Sequence, residues 1–141
     1  MVYGYPFYQS LKYVRDYLKT YFPGLPFNKG KCAIAGIGIS AMAAIRWAAE
    51  EPDFFRCAGS IAGLLDPSME PQGYFTEKRL TDLFGEREER IKKKNAFLET
   101  CTKFIANGGR EKLYIPDKSE NLKPLGEQIG AFVKHVWGGE A

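Results

Sequence analysis

The stretch IAGIGISA at residues 34–41 joins a short apolar run to a helical segment through a glycine-rich turn. The run that contains its first half, residues 32–37, has no charged side chain, which is typical of a parallel strand covered on both faces. Small side chains then dominate residues 41–49, and Pro52 ends the segment. We therefore predict a strand over residues 32–37 and a helix over residues 40–51 that lies close against a sheet.

The remaining segments continue this alternation of strand and helix. The patterns predict strands over residues 57–61 and 112–115, a short helix ending at Gly85, and helices over residues 7–22, 86–107 and 122–137. No repeat or linker divides the chain. The predicted fold class is α/β, with a parallel sheet of about three strands flanked by helices, in one domain over residues 1–141.

Apolar residues indicate which helix faces should be buried. In the first helix they recur at spacings of three and four, and they are Phe7, Leu11, Val14, Leu18 and Tyr21. In the helix over residues 86–107 they are Ile91, Leu98, Cys101 and Ile105. The N-terminal tyrosines are expected to pack in the core and at its rim, or alternatively to form a stacking platform for sugars or bases, and they are Tyr3, Tyr5, Tyr8, Tyr13, Tyr17 and Tyr21.

Composition and charge exclude several classes of protein. The net charge of +3 is too small to indicate a nucleic-acid partner, and the mixed-sign run at residues 87–94 is typical of a solvated helix face. No apolar run reaches the ~20 residues of a membrane helix, and no signal pattern is present, so we expect a cytoplasmic chain without a membrane partner. Three distant cysteines, Cys32, Cys57 and Cys101, predict reduced core thiols, and a single histidine excludes a two-histidine metal site.

Two kinds of chemistry use a glycine-rich turn between a strand and a helix. Gly36, Gly38 and Ala41 match the spacing with which dinucleotide-binding proteins bring a pyrophosphate to a helix N-terminus. That chemistry also needs an acid at the end of the next strand, but the first acid after that strand is Asp66. In α/β-hydrolases the same place holds G-x-S-x-G with an exposed serine. A tight turn that binds nothing is the third interpretation.

The flanking motifs resemble the esterase D and tributyrin-esterase branch of the α/β-hydrolases. In that family a strand ending A-G-x-S-M-G-G is followed by a helix, by P-x-x-F and by a strand ending S-x-S-G-x-x-D. This chain has AGIGIS at residues 35–40, PDFF at residues 52–55 and GSIAGLLD at residues 59–66. The resemblance extends over residues 3–135, and it implies the C-terminal half of a hydrolase fold whose ancestral reaction was carboxylic ester hydrolysis through a serine.

Aligned on these motifs, Gly38 stands where the family has its nucleophilic serine. Ser40 follows two positions later, where we expect it to cap the next helix, a displaced nucleophile being the alternative. Glu120 holds the position of the family's acid, although an acid in such a turn is commonly solvated or helix-capping. Of the oxyanion donors, only the backbone N–H of Ile39 is retained.

The family's histidine has no counterpart, because His135 lies inside the last predicted helix rather than in a loop after a further strand. We therefore expect a truncated, catalytically inactive esterase-like domain that acts by binding or assembly, without cofactor or metal. An active esterase using Ser40 with parts supplied by a partner chain is the alternative, and a dinucleotide-binding module is the third. The apolar strand over residues 32–37 would form an open sheet edge, which predicts a homo-oligomer or a partner chain that completes the sheet.

Overall fold

The computed structural model describes residues 5–25 and 30–138. The helices are α1 (Tyr5–Tyr21), α2 (Ala41–Glu50), α3 (Glu77–Phe84), α4 (Arg87–Phe104) and α5 (Leu125–Trp137). The strands are β1 (Cys32–Ile37), β2 (Phe55–Ile61) and β3 (Leu113–Tyr114). All strand pairs are parallel, so the prediction of an α/β fold with a three-stranded parallel sheet flanked by helices is confirmed. No helix within the described ranges is long and apolar enough to cross a membrane.

Strand β2 lies at the centre of the sheet, between β1 and β3. The ends of β1 and β2 are level, since Gly36 pairs with Ser60 and Ile37 pairs with Ile61. The prediction that both faces of β1 are covered is wrong, because Ala35 and Ile37 are exposed. Both residues point to the face that carries α5, whose apolar cluster includes Ala33 of β1 but neither Ala35 nor Ile37, so the end of the outer strand remains open on that side.

Helices pack on both faces of the sheet. One face carries α2 and α4, and its buried core consists of Ile45, Trp47, Ala48, Phe54, Phe55, Ala58 and Phe97. The other face carries α5, and its buried core consists of Cys57, Ile61, Phe132 and Val136. A third cluster of Leu64, Leu80 and Phe84 attaches α3 to the body. The sheet is therefore covered mainly over β2, which is buried at every position except Arg56.

The buried face of α4 differs from the predicted one. Phe97 and Phe104 are buried, whereas Ile91 and Leu98 are exposed. Arg90, which belongs to the charge run predicted to be solvated, has no exposed surface and donates to both carboxylate oxygens of Glu77. The prediction of a wholly solvated face over residues 87–94 is therefore wrong. Arg90 is buried because it forms an ion pair with Glu77 between α4 and α3.

The buried face of α1 also differs from the predicted one, since Leu18 is half-buried but Val14 and Tyr21 are exposed. Arg15 faces the body, where it contacts the Glu51 carboxylate and the Phe54 ring, whereas Val14, Tyr17 and Tyr21 face outward. The surface that α1 meets offers acidic groups and aromatic ring faces, both of which attract cations. The predicted burial of the tyrosines is wrong for Tyr13, Tyr17 and Tyr21, while the side chains of Tyr3, Tyr5, Tyr8, Phe7 and Leu11 lie outside those that the structure describes.

Candidate functional site

The turn after β1 is the candidate site that the sequence singles out. Strand β1 ends at Ile37, Gly38 follows with φ +62°, and a single 3₁₀ turn over Gly38–Ser40 leads into α2. A Cβ atom placed on Gly38 would meet no atom within 4 Å, so the position faces open space. Gly38 therefore occupies the tip of the strand-to-helix turn in a left-handed conformation that glycine adopts without strain.

Gly36 allows β1 to pass close beneath the first turn of α2. A Cβ atom on Gly36 would overlap the carbonyl group of Ser40 and the Cα atom of Ala41. Because both of these are backbone atoms, the overlap could be relieved only by moving the helix away from the strand. The first glycine of the motif thus has a packing role, whereas the second, Gly38, has a conformational one.

The turn after β2 supports the turn after β1. Ala62 has φ +48°, and because Ile37 is in register with Ile61, Gly38 and Ala62 stand at the same level of neighbouring strands. The backbone N–H of Leu64 donates to the carbonyl oxygen of Gly38 at 3.0 Å. Because Ala62 has a Cβ atom, its positive φ costs about 1–3 kcal/mol of strain, which the surrounding packing must offset. The two adjoining turns therefore form one joined, rigid unit at the carboxyl end of the sheet.

The hydroxyl of Ser40 closes the turn on itself. Ser40 Oγ accepts from the backbone N–H of Ile37 at 2.9 Å and donates to the carbonyl oxygen of Ile37 at 3.0 Å. Ser40 stands at the N-cap position of α2, but no helix N–H donates to its side chain, so the predicted capping bond is wrong. Within the described residues no carboxylate or imidazole hydrogen-bonds this hydroxyl, and its proton is engaged by a backbone oxygen.

Glu120 and Asp117 lie in the turn after β3. Glu120 is half-buried in the 3₁₀ turn Lys118–Leu122 and forms an ion pair with Lys123 at 2.9 Å. Asp117 begins that turn and accepts hydrogen bonds from the backbone N–H and the hydroxyl of Ser119, which hold the pKa of Asp117 below its usual value. Both carboxylates are thus used in local structure.

His135 lies on the exposed side of α5, where its ring centre is 4.8 Å from that of Tyr114. No hydrogen bond joins Ser40, Glu120 and His135 to one another in the part of the chain that the structure describes. Ser40, Glu120 and the single histidine are therefore not assembled into a charge-relay group around the turn. Among residues 5–25 and 30–138, no cluster of three His, Cys, Asp or Glu side chains could hold a metal.

Asp66 anchors the loop that follows β2. Its carboxylate accepts from the backbone N–H and the hydroxyl of Ser68 at 2.9 and 2.6 Å, and Lys94 Nζ lies at 3.3 Å. Burial alone would raise the pKa of Asp66, but the hydrogen bonds from Ser68 and the contact with Lys94 outweigh it, so the pKa is lowered. The first carboxylate after β2 thus links this loop to α4.

A separate groove of about 970 Å³ lies between α2 and α4, and no residue of the turn at 36–41 lines it. The small side chains Ala43, Ala49 and Ala96 leave this space between the helices. Several charges at its rim are paired within the chain, as Arg46 is with Glu50 and Lys92 with Glu89. Periodicity alone gave no sign of the groove, because it arises from where two helices cross.

No protein-family model matches the chain, and no curated protein matches it. The resemblance to the α/β-hydrolases therefore stays a prediction from the sequence motifs, which are strongest over residues 33–66.

Proposed function

We propose that this chain is an esterase-like domain of the α/β-hydrolase type that does not hydrolyse esters and acts by binding or assembly. The observation that carries the proposal is the conformation of Gly38. Its positive φ and the open space around it give the position the character of a nucleophile elbow, but glycine has no group that could attack an ester.

The groups around Gly38 supply little in place of the nucleophile. Ser40 Oγ is held by both backbone polar groups of Ile37 and has no base beside it in the described residues. The backbone N–H of Ile39 could still stabilise an oxyanion, but one such donor contributes only ~3 kcal/mol to a transition state. A cofactor-dependent reaction is not part of the proposal.

Assembly is supported by the outer edge of β1. In the described residues this strand pairs with β2 alone, and its six residues Cys32–Ile37 include neither a charge nor a proline. Strand edges without such residues pair readily with other chains, and natural edge strands generally carry them to prevent this. We propose a cytoplasmic location because all three cysteines are free thiols, as is usual for proteins of the reducing cytosol.

The proposal is tested with a fluorophosphonate probe and short p-nitrophenyl esters, with an active serine esterase as the positive control. We expect neither labelling nor turnover by the full chain. Labelling that disappears in Ser40→Ala would show a displaced nucleophile and overturn the proposal. A rise in melting temperature with NAD or FAD, absent with AMP, would instead favour dinucleotide binding.

A further inference from the structure

Helix α1 is held to the body by its charged side. Arg15 Nη1 donates to both carboxylate oxygens of Glu51 at 2.9 Å, and the guanidinium lies 4.9 Å from the centre of the Phe54 ring. Lys12 forms an ion pair with Glu50 at 3.3 Å. These contacts use polar residues of an amphipathic helix, and its apolar residues Val14, Tyr17 and Tyr21 are turned to solvent, while Leu18 is half-buried.

The outward residues form a stripe that we call the tyrosine face and define as Tyr13, Val14, Tyr17 and Tyr21. Successive tyrosines are four residues apart, so their side chains lie along one side of the helix. Tyr13, Tyr17 and Tyr21 are 72%, 48% and 65% exposed, and the rings of Tyr17 and Tyr21 lie 4.6 Å apart. An apolar stripe with this spacing is typical of a surface that packs against another helix.

We propose that the tyrosine face is the contact between two copies of this chain, in which the two α1 helices pack against each other about a two-fold axis. This inference rests on the assembly part of the proposed function, and it assigns the contact between copies to α1 instead of the outer edge of β1. A two-fold contact brings the same patch of each copy together, so one aromatic face serves both sides of the interface.

The exposed area of the tyrosine face fits such a contact. An aromatic side chain can bury about 150–250 Å². With the exposed fractions of Tyr13, Val14, Tyr17 and Tyr21, the face presents roughly 450 Å² on one copy. Two fully covered faces would bury about 900 Å² in total, which is the size of a weak, reversible contact.

The charges around α1 favour a second copy over a charged partner. No residue of the tyrosine face is charged, so two copies can bury it without bringing like charges together. Lys12 and Arg15 lie on the opposite side of the helix, where Glu50 and Glu51 are their partners. A strongly charged partner would find no complementary charge on the face, whereas a second copy presents the same uncharged rings. Tyrosine suits this role, because it buries its ring and keeps its hydroxyl at the wet rim.

Sedimentation equilibrium of the full chain over a range of concentrations tests the proposal. We expect a reversible dimer in the wild type and a dissociation constant raised at least about tenfold in Tyr17→Glu, because a charge at the centre of an apolar contact opposes burial. The matched control is Leu122→Glu, which adds the same charge at a residue that is 89% exposed on another element and should leave the constant unchanged. A wild type that stays monomeric, or an equal effect of both variants, would overturn the proposal.

A second measurement does not depend on introducing a charge. Under mild oxidation Tyr17→Cys should form a covalent dimer, whereas Leu122→Cys and the wild type should not, and absence of this cross-link would count against the two-fold contact. A dimer that survives Tyr17→Glu but dissociates in Ile37→Lys would place the contact at β1, which overturns the role of α1 and leaves assembly intact. Labelling of Ser40 by the fluorophosphonate probe on the same samples would refute the absence of hydrolysis separately.

Discussion

Arg90 donates to both carboxylate oxygens of Glu77, at 3.0 and 3.1 Å, from a side chain that has no exposed surface. The same guanidinium also donates to the hydroxyl of Thr81 and the carbonyl oxygen of Gly85, so one side chain contacts the start and the end of α3. This ion pair, together with the small apolar cluster around Leu80, fixes α3 against α4.

The first prediction concerns this pair. Glu77→Ala should lower the free energy of unfolding by about 2 kcal/mol, because Arg90 is buried and loses its counter-charge, while the Glu77 side chain is 56% exposed and its charge is partly screened. The control is Lys78→Ala in the same helix, which breaks the exposed ion pair between Lys78 and Asp82 and should cost under about 1 kcal/mol. Urea denaturation followed by circular dichroism measures both, and equal losses would contradict the burial argument.

The two glycines of the turn should respond differently to substitution. Gly38→Ser has room for its side chain and should cost only about 1 kcal/mol of strain, with no ester turnover because no base lies beside it. Gly36→Ala would push into the backbone of α2 and should cost more, up to about 3 kcal/mol. Thermal unfolding of both variants, with an ester assay on Gly38→Ser, tests this; useful turnover by Gly38→Ser would show that a base is available after all.

Unlike the substitutions above, a substitution at Ala62 should not destabilise the protein. Ala62→Gly relieves a positive φ and should leave the protein as stable as before or more stable by up to about 1 kcal/mol. Ala58→Gly at the fully buried centre of β2 is the control, and it should be destabilising by about 1 kcal/mol or more. If both changes destabilise alike, Ala62 is not strained.

Asp66 should contribute to the loss of folding stability at low pH. Its pKa is lowered in the folded state, so its stabilisation is present above the ordinary carboxyl value of 3.8 and is lost as the pH falls through the lowered value. Asp66→Asn should therefore flatten the dependence of unfolding free energy on pH below about 5. Asp53→Asn, at an exposed acid in the loop before β2, is the control. An unchanged slope in Asp66→Asn would show that the contacts with Ser68 and Lys94 do not form in solution.

The order of strands and helices could be predicted because local sequence determines it. Strand β1 has the bounds that its apolar run predicts, and Pro52 and Gly85 each follow closely on the end of a helix. The faces of the helices could not be predicted in the same way. In α4 the buried row is Arg90, Phe97 and Phe104, seven residues apart, and its first member is a charge that only the neighbouring Glu77 makes acceptable inside.

The candidate site was predictable to a similar degree. The position and conformation of Gly38 follow from a glycine-rich turn after a buried strand, and the structure has that turn. The sequence spacing does not decide whether the Ser40 hydroxyl bonds a backbone N–H of α2 or the backbone of Ile37, and the structure has the bonds to Ile37. The burial of Arg15 in place of Val14 and Tyr21 likewise depends on acidic and aromatic groups of α2 and the loop after it, which lie far away along the chain.

The contacts that hold α1 to the body should weaken as ionic strength rises. Its described contacts with the body are largely ion pairs and cation–ring contacts of Lys12, Arg15 and Lys19, which added salt screens, whereas the apolar core of the sheet is not weakened by salt. At high salt α1 should therefore separate from the body while β1, β2 and α2 stay folded. Amide hydrogens of residues 10–21 would then exchange faster at 1 M than at about 0.1 M sodium chloride, and those of β2 would not. We therefore expect the salt concentration to control whether helix α1 is bound to the body or released from it.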